Sequence, residues 1–149
     1  MKKVLVLYYS RTGNTERMAN AVAEGAQNSG KVEVELKYHV DAESLNSYDA
    51  ILVGAPTYNH DMPADFKNLF EEAAVQGISL KGKIGAAFGS YGWSGEAPKL
   101  TLEIMKYKFE MQVVEPSLLA KYTPDQSMLN GCRDLGKKVS ESLMNRAQH

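Results

Sequence analysis

A chain of 149 residues, 44% hydrophobic and 23% charged, is long enough to bury a core without staples and too ordinary in composition for a disordered or membrane-spanning class. Its formal net charge of −1 supplies no basic field for nucleic acid. One cysteine, Cys132, has no partner in the chain for a disulfide, a multi-cysteine zinc site or an iron–sulfur site. The expectation is one domain over residues 1–149, with the cytoplasm as its compartment, no membrane partner and an open oligomeric state.

Lys2 to Tyr9 is a near-continuous apolar run (V-L-V-L-Y-Y), the pattern of a strand buried on both faces of a parallel sheet. It is too short for a signal peptide and no small-residue cleavage site follows. Met18, Val22 and Ala26 then recur at helical spacing, and Gly30 stops that helix. Lys31 to Lys37 alternates strictly, as a strand with one wet face does. A short helix or irregular link over 41–47 precedes a third strand at Asp49 to Gly54. Pro63 suits the first position of a helix whose stripe is Phe66, Leu69, Phe70, Ala73 and Ala74, ending at Gly77.

Lys83 to Gly89 is a fourth strand, and its small residues predict close packing on both faces. Ser94 suits an N-cap, with Ala97, Leu100, Ile104 and Tyr107 on the buried face of the helix behind it. Met111 to Tyr122 holds a fifth strand that Pro116 interrupts, which places it at a sheet edge. The last helix starts near Asp125 and buries Met128, Cys132, Leu135, Val139 and Leu143, although Gly131 and Gly136 weaken it intrinsically. Five alternations of strand and helix predict an α/β fold: a doubly wound, five-stranded parallel sheet of order 2-1-3-4-5 with right-handed crossovers.

In such a sheet, ligands bind outside the carboxyl ends of the strands, where the order reverses. The loops there are the three unusual stretches of the chain: S-R-T-G-N-T (Ser10–Thr15), P-T-Y-N-H-D (Pro56–Asp61) and S-Y-G-W-S-G (Ser90–Gly95). The first offers three hydroxyls, a glycine and an asparagine before a helix N-terminus, which is chemistry for a phosphate. The other two add the flat surfaces of Tyr58, Tyr91 and Trp93. A phosphate loop beside exposed aromatics suits a ligand with a phosphate at one end and a planar ring at the other.

These residues carry a resemblance. S-R-T-G-N-T is similar to the FMN-phosphate loop of flavodoxins. G-A-P-T-Y-N and K-G-K-I-G-A-A-F-G-S-Y-G-W-S-G resemble the flavodoxin-like domain of flavodiiron proteins, the type A flavoproteins. The resemblance covers essentially the whole chain and implies a flavodoxin-like fold, non-covalent FMN and one-electron transfer. Carried over by position, it implies a phosphate cradle of Ser10, Arg11, Thr12, Gly13, Asn14 and Thr15. It places Pro56, Thr57, Tyr58 and Asn59 beside the reactive flavin edge. Ser90, Tyr91, Gly92, Trp93 and Gly95 then surround the ring and its pyrimidine end. The partners it implies are redox proteins: a separate diiron subunit, a ferredoxin or a rubredoxin.

Two departures qualify the resemblance. His39, His60 and His149 are too few and scattered for a diiron site, so the expected role is to pass electrons rather than to reduce dioxygen or nitric oxide. Where flavodiiron sequences often have glycine soon after the asparagine of the second loop, this chain reads Asn59-His60-Asp61. Asp61 is the carboxylate that could oppose negative charge on the ring.

Rival readings fare worse. A receiver domain needs an acidic cluster after strand 1 and an aspartate after strand 3, where Tyr9-Ser10 and Ala55-Pro56 stand. There is no Walker motif, no G-x-G-x-x-G and no G-x-S-x-G. Cys132 reads as a core thiol. The surviving alternative to a carrier is an FMN-dependent NAD(P)H–quinone or flavin reductase on the same fold.

Overall fold

The computed structural model describes residues 1–28, 30–57, 60–92 and 94–147. Strands β1 (Lys2–Tyr8), β2 (Val32–Lys37), β3 (Ala50–Gly54), β4 (Ile84–Tyr91), β5 (Gln112–Val113) and β6 (Leu118–Lys121) alternate with helices α1 (Asn14–Gln27), α2 (Ala64–Val75), α3 (Glu96–Glu103) and α4 (Gln126–Ala147). A 3-10 turn over Ala42–Ser47 fills the link before β3, and a π turn over Ile104–Lys108 extends α3. The sheet order is β2-β1-β3-β4-β5, and every pairing is parallel. The expected fifth strand is present as two short pieces, β5 and β6, both paired to β4 on either side of Pro116.

Alternate strand residues feed two separate cores, the consequence of a two-residue side-chain period. Leu5, Leu7, Ile51, Val53 and Ala87 pack with α2, α3 and the 3-10 turn through Phe66, Phe70, Leu102, Met105 and Leu45. Val4, Val6, Ala50, Leu52, Ala86 and Phe88 pack on the other face against Met18, Val22, Cys132, Val139 and Leu143 of α1 and α4. Burial pushes the Cys132 thiol up to about 12, so it stays protonated and acts as a core side chain. Among the described residues no helix is long and apolar enough to cross a membrane.

Several local expectations need correction. The dry face of β2 fades along the strand, from Val32 at 5% exposed to Leu36 at 37%, because β2 lies at the sheet edge. Pro63 precedes α2 rather than opening it, and Ala74 lies on the exposed side of that helix while Ala73 is buried. The face of α3 is rotated from the expected one: Ala97, Pro98, Thr101 and Leu102 are buried. The π turn closes with Phe109 N–H donating to the Ile104 carbonyl at 3.3 Å. That wider turn brings Met105 (0% exposed) and Phe109 (7%) inward and leaves Tyr107 outside at 73%.

The two glycines of α4 differ sharply. A Cβ at Gly136 would sit 2.0 Å from the Val22 backbone oxygen of α1, so only glycine permits this helix crossing. A Cβ at Gly131 would meet nothing closer than Leu118 Cδ1 at 3.9 Å. Gly131→Ala should therefore stabilise the fold by up to about 1 kcal/mol through helix propensity. Gly136→Ala should destabilise it by about 1–3 kcal/mol through overpacking. Denaturant melts of the two variants check the opposite signs.

Candidate functional site

The register of the central strands places Tyr8 opposite Gly54 and Gly54 opposite Phe88. The loops after β1, β3 and β4 therefore open along one edge of the sheet, at the reversal of strand order. They are also pressed together. A Cβ at Gly89 would lie 2.1 Å from the Ala55 carbonyl oxygen, so glycine is required for β4 to run this close to the β3 exit.

The first loop turns through Gly13, which caps α1 in the left-handed region at φ 88° and donates its N–H to Ser10 Oγ at 3.0 Å. Thr15, the second residue of α1, is 1% exposed. Its Oγ1 lies 2.8 Å from Ser90 Oγ and accepts the Ser90 N–H at 3.3 Å. This pair of hydroxyls locks the start of α1 to the end of β4.

The second loop is fixed at two points. Thr57 Oγ1 accepts the Ala97 N–H at 2.9 Å, so the N-terminus of α3 is capped from the β3 loop. Ser94, expected in that role, is instead displaced from it: Gly95 holds the cap position, and Ser94 Oγ lies 3.0 Å from His60 Nδ1. The same ring nitrogen lies 3.1 Å from Glu96 Oε1. Asp61 accepts the Met62 N–H at 2.8 Å and is paired with Lys67. The Lys67 hydrogen bond, with the Met62 N–H adding to it, holds the Asp61 carboxyl below the usual carboxylate range. Its charge is directed to α2 and countered there.

Between these loops lies a cavity of about 170 Å³ lined by Ser10, Arg11, Thr12, Asn14, Thr15, Pro56, Thr57, Ser90, Tyr91, Gly92 and Tyr122. Ten of these eleven residues lie at positions anticipated from sequence; Tyr122 was missed. Tyr122 follows the broken edge strand, holds φ 58° and donates its N–H to the Tyr91 carbonyl at 2.6 Å. Its only sequence signal is an aromatic residue at the end of an edge strand. Gly13 and Gly95 stand at helix starts without lining the cavity. Tyr58, Asn59 and Trp93 lie outside the described residues.

The donor set tests what the cavity accepts. Among the described residues it carries five aliphatic hydroxyls, one carboxamide, two phenols and one guanidinium, and no carboxylate lines it. Such a set fits a phosphate and offers no charged ligand to a cation. Two larger cavities, about 540 and 590 Å³, lie against α2 and are lined by none of the predicted site residues.

The flavodoxin family model matches residues 6–136. A type A flavoprotein of Rhodobacter capsulatus is 35% identical over 98% of this chain and 34% of its own length. An anaerobic nitric oxide reductase flavorubredoxin of Escherichia coli is 33% identical over 93% of this chain and 29% of its own. The chain thus spans about a third of these curated relatives. The solved structure of a flavodoxin from the domain Archaea superposes with a TM-score of 0.87 at 38% identity, covering 95% of this chain and 99% of that one.

The two threonines of the first loop should separate cleanly. Thr15→Ala strands the buried Ser90 hydroxyl and should cost the ligand-free protein about 1–3 kcal/mol. Thr12→Ala, at an exposed position, should stay within about 0.5 kcal/mol. Chemical melts of ligand-free protein decide this. Acid should loosen the second loop: a carboxylate whose folded pKa is depressed contributes stability above its unfolded pKa and loses it as pH falls through the folded value. Bound ligand should therefore be released on acidification below the ordinary aspartate range. In Asp61→Asn that acid limb should be weakened, as ligand fluorescence against pH would show.

Proposed function

The chain belongs to the flavodoxin family, whose cofactor is FMN, and we propose that it is an electron-transfer protein passing electrons between protein redox partners. The observation that carries this reading is the carboxylate-free, hydroxyl-lined cavity at the reversal of strand order. In this reading the FMN phosphate lies against Ser10, Arg11, Thr12, Asn14 and Thr15. Neutral hydroxyls and the helix N-terminus do most of the holding, since hydrogen bonds to a charged group are worth about 1.5–3 kcal/mol each. Gly13 shapes the turn that aims them. Pro56, Thr57, Tyr58 and Asn59 stand beside the reactive edge, and Ser90, Tyr91, Gly92, Trp93 and Gly95 around the ring. Tyr122 joins this last group.

FMN supplies one-electron chemistry when bound. The chain's own task is to orient the ring, exclude water from one side and leave an edge for a partner. Partners of the kind the flavorubredoxin relative's name indicates, a rubredoxin above all, fit this role, as do a ferredoxin or a separate diiron subunit. One domain over 1–149, working in the cytoplasm, completes the reading.

The purified protein should be yellow and release one FMN per chain on denaturation. Thr12→Ala should weaken FMN by about tenfold or more while leaving riboflavin affinity nearly unchanged, because 1.4 kcal/mol is a factor of ten. Equal loss for both ligands would remove the phosphate from this loop. Anaerobic mixing with NADH or NADPH should leave the flavin oxidised until a reductase is added. Fast direct bleaching would instead establish the NAD(P)H-dependent reductase.

A further inference from the structure

The His60, Ser94 and Glu96 side chains meet, joining the second loop to the third and to the start of α3. His60 is at φ 63°, a left-handed conformation that is unfavourable for a side-chain-bearing residue. Something must hold it there. Ser94 Oγ and Glu96 Oε1 converge on one atom of the ring, Nδ1, at 3.0 and 3.1 Å. A carboxylate oxygen only accepts, so Nδ1 carries the proton and donates, with Ser94 sharing it.

Both contacts fall on one ring nitrogen. The arrangement is a tie. The Ser94 hydroxyl first, and then the His60 ring, hold the Glu96 carboxyl below the usual carboxylate range. Among the described residues Glu96 Oε2, shielded from solvent, has no hydrogen-bond partner, and it is Ser94 and His60 that compensate this charge.

We propose that His60 is a positioning residue whose Nδ1–H bond to Glu96 and Ser94 sets the spacing of the two loops that flank the flavin ring. The inference rests on the reading of the cleft between these loops as the FMN site. It follows from where the tie sits. Ser94 directly follows Trp93 in the chain, and His60 directly follows Asn59, so the bond closes on the neighbours of both ring-side segments. It involves no residue of the phosphate cradle, which Thr15 anchors separately through Ser90. The tie therefore acts on the ring end of the ligand alone. Where a glycine would adopt the left-handed backbone unaided, His60 is kept there by its own side chain.

The test uses the full-length protein with FMN and riboflavin. Variants are Glu96→Gln, Ser94→Ala, His60→Phe and the double variant His60→Phe/Glu96→Gln. Measurements are made in alkaline buffer, where imidazole is uncharged. Each single variant should weaken FMN and riboflavin by the same factor, about threefold to tenfold. Each should also move the flavin potential, by about 59 mV for every tenfold by which the affinity losses of oxidised and one-electron-reduced FMN differ. The double variant should be no worse than the worse single one, as a shared bond requires.

A bare charge effect would move the potential in Glu96→Gln and leave Ser94→Ala and His60→Phe unmoved; that result, or additive losses, overturns the tie. Nitrogen NMR of the imidazole in ligand-free protein gives an independent readout. The Nδ1-protonated tautomer is expected, and an Nε2-protonated ring overturns the proposal even if a variant fails to fold. Thr12→Ala keeps the two readings apart. If it still separates FMN from riboflavin while the tie variants change nothing, the site stands and the tie falls. If it does not, the FMN placement itself is wrong.

Discussion

The contact on which the site depends is the buried hydroxyl pair of Thr15 and Ser90. It spans from the first turn of α1 to the end of β4 and passes over β3, which lies between β1 and β4 in the sheet. Parallel strands fix their own register by backbone bonds, but nothing in that ladder fixes the loops beyond it. A hydroxyl pair inside the protein is worth more than its modest net energy suggests, because either partner left alone is a buried, unsatisfied polar atom. The close approach of β4 to the β3 exit at Gly89 serves the same end. Together they turn three separate strand ends into one rigid rim, against which a ligand can be held without first ordering the loops.

The fold was legible because each element states its environment in its own composition. β1 and β3 are apolar on both faces and are indeed central; β2 alternates and is an edge. Pro116 cannot donate to a ladder, and the chain breaks the fifth strand there into β5 and β6. Strand order then follows from alternation and the switch-point rule, not from any single residue. The loops were legible for the same reason: hydroxyls, glycines and aromatics cluster where a strand ends, and the register brings those ends together.

What the sequence hid are contacts between loops. Ser94 has the chemistry of an N-cap and the right spacing, yet α3 receives its cap from Thr57, forty residues earlier. Nothing local distinguishes a serine that caps from one drawn aside by His60. Tyr107 fits a helical stripe only while the turn stays α-helical, and the π turn at Ile104–Lys108 changes the face. Gly136 looks like a weakness until α1 is laid against it. Tyr122 enters the cavity because β6 pairs with β4, a fact of tertiary register alone. For Ser94, Gly136 and Tyr122 the deciding partner is distant in sequence.

The same pairing shapes the electrostatics of the ring end. One unit charge about 10 Å away acts with roughly 0.4 kcal/mol in water, equivalent to about 18 mV for a one-electron step. An unpaired carboxylate beside the ring would therefore oppose added negative charge appreciably, and several would do so strongly. Among the described residues, two carboxylates that follow Asn59 and Trp93 in sequence, Asp61 and Glu96, are each engaged. Asp61 is turned to Lys67 and the Met62 N–H, and Glu96 to Ser94 and His60. Engagement by a cation cancels most of the field of Asp61 at a distance. Engagement by a hydroxyl and a histidine fixes where the Glu96 carboxylate sits. With a whole-chain charge of only −1, no broad acidic surface backs these two groups. The loop-to-loop contact that holds His60 in its left-handed turn therefore also fixes where the Glu96 carboxylate sits.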